Sequence, residues 1–281
     1  MRFSEMLFEL MSIEVEELAA FGGLHFIFLL LVTGLSLLLI IHLSDATDKA
    51  FRIVIAVGFS VMLALEVLKQ LALSVILVDG SITYDYNWDI FPFQLCSTPL
   101  YVLPMLAFLP NGHLRDAAAS YIMTFALIGG VSVYLVPKTV FQTKAALNIQ
   151  SMIHHGLQIV LGTFTAAYYR RRINRRFLLG GIGLFTVLYT IANLLNTIGY
   201  DMLVSFGLLI EGESFNMFYV SPRADQSIPV FEDILRKMHP SVLIIGYFVL
   251  VVIGAIIVLY LTQLITRFCD RKRRNRSYAK K

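Results

Sequence analysis

The 281-residue sequence is short of charge, because only 15% of its residues are Asp, Glu, Lys or Arg while 57% are hydrophobic. A soluble domain usually carries about 25% charged residues, which cover its water-facing surface. The mean hydropathy of +0.73 is too high for such a surface. The composition therefore excludes an ordinary soluble protein and predicts a single integral membrane domain over residues 1–281.

Several functional signals are also missing. The sequence has no glycine-rich phosphate-binding loop, no clustered metal-ligand pattern and only two cysteines. Residues 1–20 form an acidic N-terminal segment with one Arg and five Glu, unlike the basic start of a cleavable signal peptide. We therefore expect no metal, no cofactor and no nucleic-acid partner. Membrane lipids are the expected partners, and the oligomeric state stays open.

Seven hydrophobic runs are long enough to cross a bilayer, since a spanning helix needs roughly 20 apolar residues. They lie at about 22–43, 53–78, 89–110, 117–136, 149–169, 177–198 and 241–266. The sequence thus predicts an all-α polytopic membrane helix bundle with seven transmembrane helices. Pro92, Pro99 and Pro104 interrupt the third run. Carbonyls freed by proline need neighbouring partners, so we expect this third helix to pack inside the bundle.

Lys and Arg residues are divided unevenly between the segments that join these runs. With the N-terminus outside, 16 of the 23 fall on the inside and 6 on the outside, while Lys69 lies within a run. Because cytoplasmic segments carry the excess of basic residues, we predict an outside N-terminus and a cytoplasmic C-terminus. Residues 199–240 then form a long outer loop, and residues 267–281 form a basic cytoplasmic tail.

Polar side chains are concentrated in the half of the runs nearest the outer boundary. They are Glu66, Lys69, Gln70, Cys96, His154, His155, Gln158, Tyr189, Asn193 and Asn196. At about 1.5 Å per helical residue, Cys96 and the two histidines lie roughly 8–10 Å below that boundary. Polar groups in a bilayer usually face the bundle interior or a wet cavity, so the shared depth predicts a polar cavity that opens outward.

Cys96 and a histidine at one depth are a candidate nucleophile and base. A neighbouring imidazole can take the thiol proton, and the resulting thiolate can accept an acyl group. His154 shares a helix face with Gln158, whereas His155 lies on a more apolar face. We therefore predict Cys96, His154 and His155 as catalytic residues, with His154 as the base and His155 in a supporting role.

Five other polar residues are the predicted substrate contacts. Gln158, Asn193 and Asn196 can orient the histidine or donate to an oxyanion. Glu66 and Lys69 share a helix face, and they either hold a lipid headgroup or neutralise each other as a structural pair.

Two other functions are compatible with these residues. In a transporter or channel, Glu66, Lys69 and His154 would form a proton or ion relay. In a non-catalytic membrane protein, the same groups would only pack and form hydrogen bonds. No internal repeat relates the two halves of the chain, which disfavours a symmetric transporter.

Four short motifs carry a resemblance to a known family. They are Pro92-Phe-Gln-Leu-Cys96, the Glu66–Lys69 pair, His154-His155-Gly156, and Asn216-Met-Phe-Tyr219 with Pro222. With these motifs, and in the number and order of its spans, the chain resembles the YwaF-type bacterial integral membrane proteins. It also resembles their animal relatives, the transmembrane protein 164 family.

This resemblance implies an acyltransferase that moves a fatty acyl chain between phospholipids. It implies Cys96 and His154 as the catalytic residues, with His155 as the second choice, in a multi-pass protein of a bacterial plasma membrane. Bacterial relatives often have His where this chain has Gln94, so the resemblance assigns no role to that position.

Overall fold

The computed structural model describes residues 9, 11–16, 18–78, 81–223 and 239–278. Within these residues the fold is all-α, with seven helices, short 3₁₀ turns and one small hairpin. The helices are α1 Gly23–Leu43, α2 Asp48–Ser74, α3 Pro99–Phe108, α4 His113–Leu135, α5 Ala145–Tyr169, α6 Arg175–Ser205 and α7 Pro240–Tyr278. A π turn interrupts α4 at Ile122–Ala126, and another interrupts α6 at Leu195–Gly199.

Five of these helices, α1, α2, α4, α6 and α7, are long and apolar enough to cross a membrane. Helix α5 is long enough, but His154, His155 and Gln158 lower its hydropathy. Helix α3 has 10 residues and extends roughly 15 Å, about half the hydrocarbon core of a bilayer. The chain is therefore a multi-pass membrane protein, and the outside position of its N-terminus stays a prediction.

The third hydrophobic run is not one helix. A 3₁₀ turn at Trp88–Ile90 leads into turns that last until Thr98, where α3 begins. Proline disfavours helical geometry in the residue before it, and Phe91, before Pro92, accordingly has ψ 130°, whereas Thr98, before Pro99, is already helical. Pro99 takes the first position of α3, where the helix uses no N–H donor. Cys96 therefore lies in an irregular segment, and its predicted place inside a membrane helix was wrong.

The second hydrophobic run also ends early. Helix α2 stops at Ser74, and the chain continues into an antiparallel hairpin of β1 Val75–Val78 and β2 Ser81–Tyr84. Valine and isoleucine are branched at Cβ and favour strands, so the end of the run extends instead of continuing the helix. The Asp85 N–H donates to the Ser74 carbonyl at 2.8 Å and closes the base of the hairpin.

The predicted terminal and loop segments are partly helical. Helix α6 covers the first residues of the predicted loop 199–240, and α7 covers most of the predicted tail 267–281. Residues 224–238 of the loop, and half of the acidic segment 1–20, lie outside the described residues. The described part of that acidic segment lies against the start of α5, where the Val15 N–H donates to the Thr143 carbonyl at 2.7 Å.

Helix α4 lies at the centre of the bundle. In its apolar stretch of 18 residues, 67% of the residues are buried, compared with 17–28% in the other four spanning helices. Those four helices expose leucine, isoleucine and valine on their outer faces. Phe125, in the π turn of α4, stacks on Phe185 of α6 with ring centroids 4.5 Å apart. The buried centre is thus aromatic, and the surrounding helices supply the lipid-facing surface.

The helices give the bundle two chemically different ends. Helices α2 and α5 pack together in opposite directions, so the end of α2 that carries Glu66 lies beside the start of α5 that carries His154. We call this the cavity end. At the other end, here called the arginine end, Asp48 binds Arg52 and Arg115, and Arg170 binds Asp45.

Candidate functional site

A polar cavity of about 200 Å³ lies at the cavity end of the bundle. Its walls come from α2, from the start of α5, and from three connecting segments, 88–98, 136–144 and 215–221. Its polar lining residues are Glu66, Lys69, Asp89, Gln94, Cys96, Ser97, Gln142, Gln150, Ser151, His154, His155 and Tyr219. The fold therefore brings polar side chains from five parts of the chain to one cavity.

Five residues singled out from the sequence line this cavity: Glu66, Lys69, Cys96, His154 and His155. Gln158 also approaches it, since its side-chain amide contacts Cys96 from one helical turn beyond His154. The matched depths inferred from the sequence thus correspond to a shared location. The catalytic and substrate-binding roles of these residues stay predictions.

The backbone carbonyl of Cys96 is held by α5. It accepts hydrogen bonds from His154 Nε2 at 3.0 Å and from Gln158 Nε2 at 2.8 Å. The irregular segment offers this carbonyl no helical partner, so the two side chains satisfy it. The next residue but one, Thr98, is also fixed, because its hydroxyl hydrogen-bonds the Tyr121 hydroxyl at 2.6 Å. The Cys96 backbone is therefore anchored, while its side chain lines the cavity.

The hydrogen bond from His154 determines the form of its ring. A carbonyl oxygen only accepts, so Nε2 carries the proton and Nδ1 is left with a lone pair. Nδ1 is buried and has no hydrogen-bond partner among the described residues. An orienting partner on one ring nitrogen is a feature of histidines that act as bases through the other nitrogen.

His155 is oriented by its own helix. Its Nδ1 lies 2.8 Å from the Ser151 carbonyl and donates to it, which leaves Nε2 with the lone pair. Nε2 has no hydrogen-bond partner among the described residues, and His155 lines the cavity. The two imidazole rings lie 5.5 Å apart at an angle of 69°. Of the two histidines, only His154 forms a hydrogen bond with Cys96 among the described residues, so the two rings have different positions relative to it.

Glycine on α4 permits the close approach of α5. A Cβ atom on Gly130 would lie 2.7 Å from the His155 carbonyl oxygen and 2.9 Å from Gln158 Cβ. A Cβ on the adjacent Gly129 would lie 3.1 Å from Gln158 Oε1. Any larger residue at 130 would therefore push back the part of α5 that holds the Cys96 carbonyl.

Glu66 and Lys69 form an ion pair in the cavity wall. Lys69 Nζ lies 2.8 Å from Glu66 Oε1, and the Glu66 side chain is only 6% exposed. Gln70 Nε2 donates to the same carboxylate at 2.7 Å and to the Ile90 carbonyl at 2.9 Å. This part of α2 therefore holds a buried carboxylate and joins it to the segment that leads to Cys96.

Asn193 and Asn196 do not line the cavity, so the predicted placement of Asn193 in that lining is corrected. The Asn193 amide donates to the Tyr189 carbonyl of its own helix at 2.8 Å. Asn196 lies in the π turn of α6 and pairs with the backbone of Met217. Helix periodicity placed both asparagines on one face, but it could not show that their amides are used by backbone partners.

Seven polar residues of the cavity were not assigned a role from the sequence, and three of them have a clear position. Gln94 binds the backbone of segment 215–221, Ser151 orients His155, and Tyr219 lines the cavity. Ser151 precedes His155 by one helical turn, and this spacing was a usable signal. Tyr219 had no such local signal, because its position depends on contacts with residues far away in the sequence.

Among the described residues, no group of three or more His, Cys, Asp or Glu side chains is arranged to hold a metal ion. The cavity lining offers a thiol, two imidazoles, a phenol and an ion pair, together with the carboxylate of Asp89 and the hydroxyls and amides of its other polar residues.

Comparison with known proteins gives one match. The model of a membrane protein family described as the TMEM164 family matches residues 20–266, which include every residue of the cavity. No curated protein and no solved structure matches the chain.

Proposed function

The chain belongs to the TMEM164 family, and from this premise we propose that it is a membrane enzyme that transfers fatty acyl chains between phospholipids. One observation carries the proposal: the Cys96 carbonyl is bound by His154 at 3.0 Å, in the wall of a polar cavity within a membrane bundle. The oriented imidazole of His154 thus contacts the residue that would supply the nucleophile, and covalent acyl transfer requires a base near its nucleophile.

In the proposed reaction Cys96 acts as the nucleophile and His154 as the base. His154 Nδ1 takes the thiol proton, and the thiolate adds to the ester carbonyl of a donor phospholipid. The tetrahedral intermediate collapses, the ester C–O bond breaks, and the lysophospholipid oxygen takes the proton from His154. The acyl chain is then held as a thioester on Cys96.

The second half of the reaction reverses these steps on an acceptor. His154 removes a proton from the hydroxyl of a lysophospholipid, whose oxygen attacks the thioester carbonyl. The C–S bond breaks, and the Cys96 thiolate recovers the proton from His154. No oxidant, reductant or nucleotide is consumed, so the atoms and electrons balance between donor and acceptor lipids.

The remaining polar groups have supporting roles in this proposal. Gln158 shares the Cys96 carbonyl with His154 and keeps that carbonyl in place when the ring becomes charged. His155 lies beside the His154 ring and fills the wall behind it. Lys69 provides a cation for a lipid phosphate, since lysine binds phosphate as a point charge.

An ion relay receives less support from the interior of the bundle. Beyond Glu66, the buried side chains of α2 toward the arginine end include Met62, Ile55 and Phe51, each 0% exposed. Apolar side chains at these positions offer no donors or acceptors for proton transfer, so this buried face of α2 carries no proton path from the cavity toward the arginine end.

The test is acyl transfer by the purified full-length protein in phospholipid vesicles that contain a labelled donor lipid and a lysophospholipid acceptor. We expect transfer of the label and a hydroxylamine-sensitive acyl group on Cys96. Cys96→Ala should abolish both, and the matched control Cys269→Ala should retain both. Transfer that survives in Cys96→Ala would refute the proposed nucleophile.

A further inference from the structure

Two consecutive residues of segment 215–221 have a backbone conformation that is unfavourable for their type. Phe218 has φ 58° and Tyr219 has φ 57°, which places both in the left-handed region. A non-glycine residue is uncommon there, because its Cβ crowds the following carbonyl. Such conformations persist only where the surroundings enforce them, and they are concentrated at functional sites.

Three carboxamide side chains enforce this conformation. Gln94 donates to the Asn216 carbonyl at 2.7 Å and accepts from the Phe218 N–H at 2.8 Å. Asn196 donates to the Met217 carbonyl at 2.9 Å and accepts from its N–H at 2.7 Å. The Asn216 side chain accepts from the Ser221 N–H at 2.8 Å. Four of these five hydrogen bonds come from Gln94 and Asn196, outside segment 215–221, and the fifth comes from Asn216 within it.

The conformation separates the two aromatic side chains. Phe218 is 0% exposed and packs among aromatic rings of the core, with Tyr189 at 5.7 Å. Tyr219 lines the cavity that also contains Cys96. Phe218 therefore anchors the segment, and Tyr219 is presented to the cavity.

Gln94 connects the position of Tyr219 to that of Cys96. Besides binding segment 215–221, it accepts through its own carbonyl from the Ser97 N–H at 2.9 Å, in the turn that contains Cys96. One residue thus fixes the backbones that carry the phenol and the thiol. Placing two side chains at a fixed separation is what a preorganised site needs.

The Tyr219 phenol stays protonated, and its hydroxyl can donate a hydrogen bond to a ligand. The residue is 43% exposed, and partial removal of its hydroxyl from water raises the pKa of the phenol above the ordinary value. The hydroxyl has no hydrogen-bond partner among the described residues, although the residue lines a polar cavity. A neutral phenol of this kind is a donor across the physiological pH range.

We propose that Tyr219 is the oxyanion donor of the acyl-transfer site. When the Cys96 thiolate adds to the ester carbonyl, the carbonyl oxygen becomes an oxyanion, and the Tyr219 O–H donates a hydrogen bond to it. The proton stays on the phenol, and the bond weakens again when the C–O bond breaks and the thioester carbonyl forms. This inference rests on the proposed function and adds a catalytic residue to it.

The test compares Tyr219→Phe with the wild type and with Tyr84→Phe, whose ring is 62% exposed on β2. Removal of one oxyanion donor lowers the rate by about 10²–10³-fold in known enzymes. We expect the single-turnover rate of Cys96 acylation to fall at least ~30-fold in Tyr219→Phe, with little change in the lipid concentration at half-saturation. Tyr84→Phe should acylate at the wild-type rate.

Alkylation of Cys96 by iodoacetamide provides a second measurement, because displacement of iodide generates no oxyanion. We expect the alkylation rate to change less than about twofold in Tyr219→Phe, since the donor acts only on a carbonyl oxygen. Unchanged acylation, or equal losses in acylation and alkylation, would overturn the role of Tyr219 and leave the proposed function standing. A wild-type protein that forms no acyl group on Cys96 would overturn both.

Discussion

The two ends of the bundle use polar residues in opposite ways. At the arginine end, Asp48 binds Arg115 at 2.6 Å and Arg52 at 2.7 Å. The same arginines donate to the last carbonyls of α3, at Leu106 and Ala107. Charges there neutralise each other and complete a helix end. At the cavity end, polar side chains fix irregular backbone and still leave groups that face open space.

This difference separates stability from binding capacity. Asp48, Arg52 and Arg115 are partnered within the protein, so these three groups can contribute to folding but offer little to a ligand. At the cavity end, His154 Nδ1, His155 Nε2 and the Tyr219 hydroxyl have no hydrogen-bond partner among the described residues. Unused donors and acceptors beside an anchored cysteine are what a substrate can bind, and substitutions should affect the two ends differently.

Replacing the histidines should produce the largest effect on activity. We expect His154→Ala to lower acyl transfer by about 10³-fold, within the range for loss of a general base. His155→Ala should leave a reduced activity, about a tenth of the wild type, because His155 binds Ser151 and not Cys96. Initial rates in vesicles measure both, with His113→Ala at the arginine end as the control.

The opposite ranking would show that the helix-face argument for His154 is wrong. Full activity in both variants and in Cys96→Ala would remove the catalytic interpretation altogether.

Arg115→Leu should affect stability instead of chemistry. Removing one partner of a buried ion pair costs roughly 3–5 kcal/mol, but the Asp48 side chain is 39% exposed, so we expect about 2 kcal/mol. Thermal unfolding in detergent should show this loss, while the transfer rate per folded molecule stays within about twofold of the wild type. The exposed Arg171→Leu serves as the control. A large loss of activity in folded Arg115→Leu protein would contradict the separation of the two ends.

Gly130→Ala tests the contact between α4 and α5. The new Cβ would meet the His155 carbonyl oxygen at 2.7 Å, so the helices must move apart, at about 1–3 kcal/mol. Transfer should fall too, since the same part of α5 holds Cys96. Gly183→Ala is a matched control because nothing lies within 4 Å of its Cβ, and its helix should gain up to ~1 kcal/mol. Equal behaviour of the two variants would refute the close-contact argument.

Topology labelling should have the smallest effect on the protein, and it shows which end of the bundle faces outward. Single cysteines at Ser81 and Ser277, introduced into a Cys96→Ala and Cys269→Ala background, should react with a membrane-impermeant maleimide from opposite sides. Position 81 should react in intact cells, and position 277 only after permeabilisation, because the basic residues favour an inside C-terminus. Reaction of both from the same side would exclude the predicted orientation.

Much of the helical framework was readable from hydropathy, because long apolar runs have few alternatives to helix in a bilayer. The errors lie where local signals compete. The apolar run that ends at Val78 contains β-branched residues, and its last part forms a strand. The run that contains Cys96 is interrupted by Pro92 and Pro99, and it is helical only from Pro99 onward.

The cavity was predictable only in part. Comparable depth on different helices correctly brought Glu66, Cys96 and His154 together. Tyr219 escaped this reasoning, because its conformation depends on Gln94, which precedes Phe218 by 124 positions. Hydrogen bonds over such distances leave no periodic trace in the sequence, so a loop residue of this kind emerges only from the fold.

The anchorage of Cys96 through its carbonyl makes this position open to chemical substitution. His154 and Gln158 bind a group that every amino acid has, so the fit of the segment does not depend on the sulfur atom. Selenocysteine, serine or 2,3-diaminopropionic acid could be introduced there with the same backbone contacts. With diaminopropionic acid, the acyl intermediate would become a stable amide, and the acyl chain that it holds could be identified by mass spectrometry.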